Sequence, residues 1–513
     1  MRHYRWILGL LLNVASVTAW AADWYRVESP HFHLLAHASK SLAQERLEDL
    51  ERLHQVLLMT LGATETLARP PLPIAMSDDR EMIGRVMPHL RDRHMAGIFV
   101  QGTDGPQAFV YHQIGAAEEN FTGKVLFHEY AHRMMFQYAR ISYPVWYVEG
   151  FAEYFGATVM DRYGVEIGAG NRAASVLYQR SWLNPAQLLN PKFHSTGQQN
   201  IDDSNFDVFY AQAWLLTHYV LSDSARTTRF NEYFRRVAAG EDPVATLEPA
   251  TGIPLNKLNS ELRRHLENSY ASRIPLSTLK PVTVRVSDVS TDEAEAELDA
   301  MTITTHPEAA HGKEVLQRLR ERLKKAGSDR APDAMRWALA YAETRYGDVD
   351  RALEILTPWA QQESPPFEAN RLLGWAWQTA AATLSGAERT QALDQARGFL
   401  MAAYKQRRND APTLYQLGRV LEAKGLSPSL VNSADAASVL EPQVGQYAYF
   451  AIWAHLESGH RDKAQRGLQT LASNPHGGES TDRARAALQA LQSGKEASEV
   501  LAFLNGSKKP TSP

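Results

Sequence analysis

The sequence predicts an α+β domain followed by an all-α domain of helical repeats. Three observations carry that prediction. Short apolar strands alternate with helical spacing over 24–112, the stretch 121–270 reads almost wholly helical, and beyond 306 glycine and alanine recur at the period of a two-helix unit. With 513 residues the chain is too long for one ordinary core, so two or three domains are expected. A net charge of −4 leaves no basic field to hold a nucleic acid or an anionic membrane surface.

At the N-terminal end, Arg2 and Arg5 precede an apolar run over 6–12 extended by Val14, Ala15 and Val17, and Ala19-Trp20-Ala21 supplies small residues around a cleavage point. Residues 1–21 therefore read as a secretory signal peptide, too short in its apolar part for the ~20 residues that span a bilayer. The chain has no cysteine. This excludes disulfides, thiolate metal ligands and a cysteine nucleophile, and it suits an exported, periplasmic bacterial protein with no membrane segment after cleavage.

The first domain is expected over 22–272. Phe32-His33-Leu34-Leu35 and Pro73-Ile74-Ala75-Met76 read as strands, and 39–61 reads as a helix through Leu42, Leu47, Leu50, Leu53, Val56 and Leu57. A further helix carries Met82, Ile83 and Val86. Gly97-Ile98-Phe99-Val100 and Ala108-Phe109-Val110-Tyr111 flank a Gly-Thr-Asp-Gly-Pro turn and read as a hairpin. The Pro-, Thr- and Ser-rich stretch 273–305, with alternating Val282, Val284 and Val286, reads as a linker containing a little strand.

Over 306–505 the helical region repeats. Gly347/Ala352 and Gly459/Ala464 fall at turns between paired helices, and Gly374 and Gly418 fall inside first helices. Units then start about 34, 44 and 34 residues apart, the outer spacings matching the tetratricopeptide period, with a polar insert near Ser385 in the longer one. Such repeats are expected to bind a protein or peptide partner. Residues 506–513 read as a disordered tail.

The chemistry is concentrated in Phe127-His128-Glu129-Tyr130-Ala131-His132. Residues four apart share a helix face, so His128 and His132 converge on one ion while Glu129 lies beside it as a base for water. Apolar Val125, Leu126, Phe127, Met134 and Met135 bury that helix. Fourteen residues after His132 begins Trp146-Tyr-Val-Glu149-Gly-Phe-Ala-Glu153-Tyr. Pro144 allows this second helix to fold back, which places Glu149 as a third ligand and leaves a fourth position open, as a catalytic zinc site requires.

HEYAH followed by EGFAEY resembles the gluzincin metallopeptidases, and within them the bacterial peptidase MA-like group. The resemblance is specific over 121–155 and looser over 24–270. It implies a zincin-like fold for the first domain, His128, His132 and Glu149 as Zn2+ ligands, Glu129 as general base and then proton donor, and Glu153 as a carboxylate holding a ligand histidine by its other ring nitrogen. Relatives commonly stabilise the oxyanion with a tyrosine or histidine on a later helix. Tyr210, in Phe206-Asp-Val-Phe-Tyr-Ala-Gln-Ala-Trp214, is the candidate here, or it packs with Phe206 and Trp214. His218, two turns on, reads as an ordinary satisfied histidine.

Two departures from the resemblance shape the expectation. The gap between His132 and Glu149 is short, and no Gly-x-Met-Glu-Asn exopeptidase motif precedes the zinc helix. The hairpin over 97–112 offers an edge to an extended peptide. The expected function is therefore a zinc endopeptidase. The alternatives are a periplasmic repeat scaffold with a catalytically idle first domain, or a zinc hydrolase of a non-peptide cell-wall amide. Other features carry less: His31, His33 and His37 could bind a surface metal, Arg318, Arg320, Arg322, Lys324 and Lys325 read as a solvated helix face, and the Asn120-Phe-Thr122 sequon has no meaning in a bacterial protein.

Overall fold

The computed structural model describes residues 23–65, 69–93, 95–112, 119–139, 141–190, 205–327, 331–474 and 478–506. The expected signal peptide and all of the expected tail but Gly506 lie outside them.

β1 (Asp23–Glu28) and β2 (Phe32–Ala38) pair antiparallel. α1 (Lys40–Leu61) follows, capped where the Ser39 side chain accepts from the Leu42 amide. β3 (Leu72–Ser77) runs parallel to β2, and α2 (Met82–Val86) leads to the expected hairpin of β4 (Gly97–Gly102) and β5 (Gly105–Tyr111). α3 (Glu119–Tyr138) and α4 (Val145–Gly156) carry the two motifs, with Pro144 at φ −66° in the cap position of α4.

The stretch 121–270 is not wholly helical. β6 (Val159–Asp161) and β7 (Gly164–Ile167) form a hairpin after α4. α5 (Asn171–Gln179), α6 (Pro185–Leu189), α7 (Phe206–Leu221), α8 (Ser224–Ala238), α9 (Pro243–Thr251) and α10 (Leu258–Leu266) follow, and β8 (Ser272–Pro275) returns to pair with β7. With three and four residues, β6 and β7 are too short for their alternation to stand out from helical neighbours.

The stretch 273–305 is folded structure rather than a linker. β9 (Arg285–Val289) pairs antiparallel with β1, and α11 (Thr291–Thr304) packs behind it. The main sheet thus has the order β4-β5-β3-β2-β1-β9. Alternate side chains serve two cores: Leu34 and Ala36 of β2 face α1 and α3, while Leu35 faces Ile83 and Val86 of α2 and Leu298 and Met301 of α11.

Paired helices form the rest: α12 (Ala309–Ala326), α13 (Asp333–Tyr346), α14 (Val349–Ala360), α15 (Phe367–Ala380), α16 (Gly386–Gln406), α17 (Ala411–Glu422), α18 (Pro428–Leu440), α19 (Gly445–Glu457), α20 (Arg461–Ala472), α21 (Glu479–Gln492) and α22 (Ala497–Leu504). Gly347 and Gly459 sit at turns, and Gly374 and Gly418 sit inside first helices, as the spacing predicts. At Gly374 an added Cβ would lie 2.5 Å from Leu400 of α16, so the glycine permits close helix approach. The longer spacing is absorbed by the 21 residues of α16. Among the described residues no helix is long and apolar enough to cross a membrane.

The basic face of α12 is not simply solvated. Arg318 and Arg322 donate to the buried Asp299 of α11, and Arg320 forms a two-point pair with the buried Glu343 of α13 at 2.8 Å. Lys325 does reach solvent beside Asp292.

Candidate metal centre

α3 and α4 cross closely because Gly156 lies against His128, where an added Cβ would sit 3.1 Å from the His128 Cβ. On its other side α4 meets α7 through Gly150, where an added Cβ would fall 2.2 Å from the Ala213 carbonyl oxygen and 2.3 Å from Thr217 Oγ1. Trp146, Tyr147, Phe151 and Phe155 anchor α4 in an aromatic cluster with Phe230, Tyr233 and Phe234.

This packing brings three ligand atoms together. His128 Nε2 and His132 Nε2 are 3.1 Å apart, and Glu149 Oε2 lies 3.7 Å from the first and 3.4 Å from the second. Ligand bonds of ~2.0–2.1 Å in a tetrahedral zinc site place donors about 3.3 Å apart, so this donor set fits a zinc ion. Glu149 and His132 are buried, with side chains only 1% and 3% exposed. Glu153 accepts from His128 Nδ1 at 3.2 Å, so the second imidazole nitrogen is directed at Glu149 and His132.

The electrostatics set the two histidines apart. Burial lowers the His128 pKa, but the hydrogen bond to Glu153 and the charges of Glu149 and Glu129 outweigh it and hold it up at about 9. Burial and the neighbouring His128 push His132 down to about 3, which keeps that imidazole neutral. Glu129 is outside the donor triad, yet its charge acts on His128, His132 and Tyr210. Tyr210, on α7, is held protonated by burial and by Glu149, Glu153 and Glu129.

His218 donates or accepts at His265 Nε2 over 2.9 Å and meets the Tyr270 carbonyl at 3.1 Å, so it is a satisfied histidine. His31 associates with His54 rather than His33: the two rings stack at 3.9 Å, His31 bridges Glu51 and Glu65, and His54 Nδ1 meets the Tyr130 hydroxyl at 2.7 Å. The side chain of His33 is 47% exposed, and His37 pairs with Asp78. The cluster of His31, His54 and Glu65 buttresses the back of α3, a feature that lone histidines far apart in sequence do not announce.

Arg133, next to His132, was also silent in the sequence. It is buried and grips Glu441, just past α18, through two hydrogen bonds of 2.5 and 2.8 Å. The repeats are thereby tied to the helix bearing both histidines. A cavity of about 410 Å³ lies nearby, between the C-terminal end of α3 and α18–α20, lined by Gln137, Tyr143, Asp435 and His455 among others and separate from the donor triad.

A solved structure of a thermophilic TPR protein from Thermus thermophilus is similar to this chain at 18% identity, over 38% of this chain and 98% of that one, with a TM-score of 0.32. No curated protein matches the chain. Residues 124–245 match the model of a family described as "Protein of unknown function (DUF1570)", and that segment holds His128, Glu129, His132, Glu149, Glu153 and Tyr210 together.

Proposed function

We propose that this chain is an exported zinc endopeptidase of the gluzincin type. The convergence of His128, His132 and Glu149, with Glu129 and Tyr210 beside them, is the observation that supports this reading. His128 Nε2, His132 Nε2 and a Glu149 carboxylate oxygen would hold the ion, and when bound it supplies Lewis acidity toward a carbonyl and toward water. Glu153 keeps the Nδ1 proton of His128 and so leaves Nε2 as the donor. Glu129 takes the proton of the attacking water and delivers it to the leaving nitrogen. Tyr210, kept protonated, donates to the developing oxyanion. The outer edge of β4, at the end of the sheet, aligns an extended peptide. A stack of helical repeats beside such a site suits protein recognition.

The test is a diverse peptide library read by mass spectrometry, with the protein as isolated, after chelation, and after zinc is restored. Internal cleavages that vanish on chelation and return with zinc are expected. Zinc bound without any cleavage would overturn the endopeptidase reading. Tyr210→Phe is expected to lower kcat about 10²–10³-fold with zinc content unchanged. Unaltered kcat would assign Tyr210 to packing alone.

A further inference from the structure

The tip of a β-hairpin is ordinarily among the wettest places on a protein, and a carboxylate there is normally solvated. The tip joining β4 to β5 departs from this. The side chain of Asp104 is only 7% exposed and is enclosed by the helical half. It accepts from His306 Nε2 at 2.7 Å, from the Tyr341 hydroxyl of α13 at 2.5 Å and from Arg371 Nη1 of α15 at 3.0 Å. The Tyr447 hydroxyl of α19 donates to the Thr103 carbonyl at 2.8 Å. Four groups spread over 306–447 thus close on two residues of one turn.

Three further facts show that this is a built site. His306 is the one non-glycine residue with positive φ among the described residues, at 59°, a conformation that costs energy and is kept where surrounding contacts impose it. Arg371 is largely enclosed, its side chain 17% exposed, so its charge gains from a carboxylate partner. Burial raises the Asp104 pKa, yet His306, Arg371 and Tyr341 together bring it down to about 2.

We propose that the face lined by Tyr341, Arg371 and Tyr447 is a receptor for an acidic turn, and that its resident ligand is this chain's own β4–β5 tip. The repeats, so engaged, act on the catalytic half. They hold β4, the end strand of the sheet, in register beside α3, while Arg133–Glu441 fixes α3 itself. Asp104 and Arg371 are then positioning residues for the hydrolysis proposed above. This consequence rests on the peptidase reading, whereas the receptor does not. A partner bearing an acidic turn reaches this face by displacing the tip.

The experiment is hydrogen exchange over β4 and β5 in the full chain, for the wild type, Asp104→Asn, Arg371→Met and the double variant, with zinc content and peptide hydrolysis measured on each. Each single change is expected to speed exchange of β4 and β5 by about tenfold to a hundredfold, with zinc retained and KM raised more than kcat falls. The double variant, which leaves no buried unpaired charge, is expected to exchange no faster than the singles. It therefore serves where a single variant fails to fold. A cyclised peptide of residues 97–111 is expected to bind Asp104→Asn chains in trans and not the wild type. Unchanged exchange of the hairpin in both the singles and the double would overturn the receptor. Faster exchange in a protein whose wild type cleaves no peptide would uphold the receptor and overturn only the peptidase reading.

Discussion

Glu129→Gln is expected to lose about 10²–10⁴ of its peptide hydrolysis while keeping its zinc. The side chain is nearly isosteric and lies outside the triad of His128, His132 and Glu149, so neither the fold nor the donor set is disturbed. What disappears is the carboxylate whose charge reaches His128, His132 and Tyr210. His132→Ala, by contrast, is expected to lose zinc and activity together, because it removes one donor. Turnover numbers set beside zinc content on the same preparations check both. A Glu129→Gln protein with full turnover would remove Glu129 from the mechanism.

Gly150→Ala is expected to be strongly damaging to the half that carries the donor triad. The new Cβ would meet backbone, the Ala213 carbonyl oxygen at 2.2 Å, and no rotamer change relieves a clash with a carbonyl. α4 must then withdraw from α7. Overpacking of this kind costs about 1–3 kcal/mol, and here it also shifts Glu149 and Glu153, which α4 carries, relative to α3. A lower unfolding temperature and weaker zinc retention against a chelator are the expected readings. Gly123→Ala is the control, since its Cβ would meet nothing within 4 Å and the change is expected to be neutral or slightly stabilising. Equal stability and zinc retention in the two variants would show that the contact between α4 and α7 does not set the site.

The donor triad was legible because helical geometry turns a spacing of four into a shared face, and because Pro144 marks where the next helix begins. The hairpin was legible for the same local reason: its turn residues lie between two short apolar runs. What stayed hidden depends on partners far away in sequence. Arg133 finds Glu441 across 308 positions, and Arg371 finds Asp104 across 267. A single charged residue leaves no periodic trace of such a partner. The same blindness made Arg318, Arg320 and Arg322 look like a wet stripe, when Asp299 and Glu343 wait opposite them. It also made 273–305 look like a spacer, because the alternation of valines shows a strand but not that β1 needs it.

That strand has a consequence for the order of events when the chain is made. β1 belongs to the first residues described and β9 lies more than 250 positions later, so the sheet carries an open edge until most of the polypeptide exists. The receptor that encloses Asp104 is completed later still, at Tyr447. Pairings of such separation form slowly, because a long loop must close before they are rewarded. A sheet closed at one end by β9 and held at the other by the repeats is therefore completed only after most of the chain has been made.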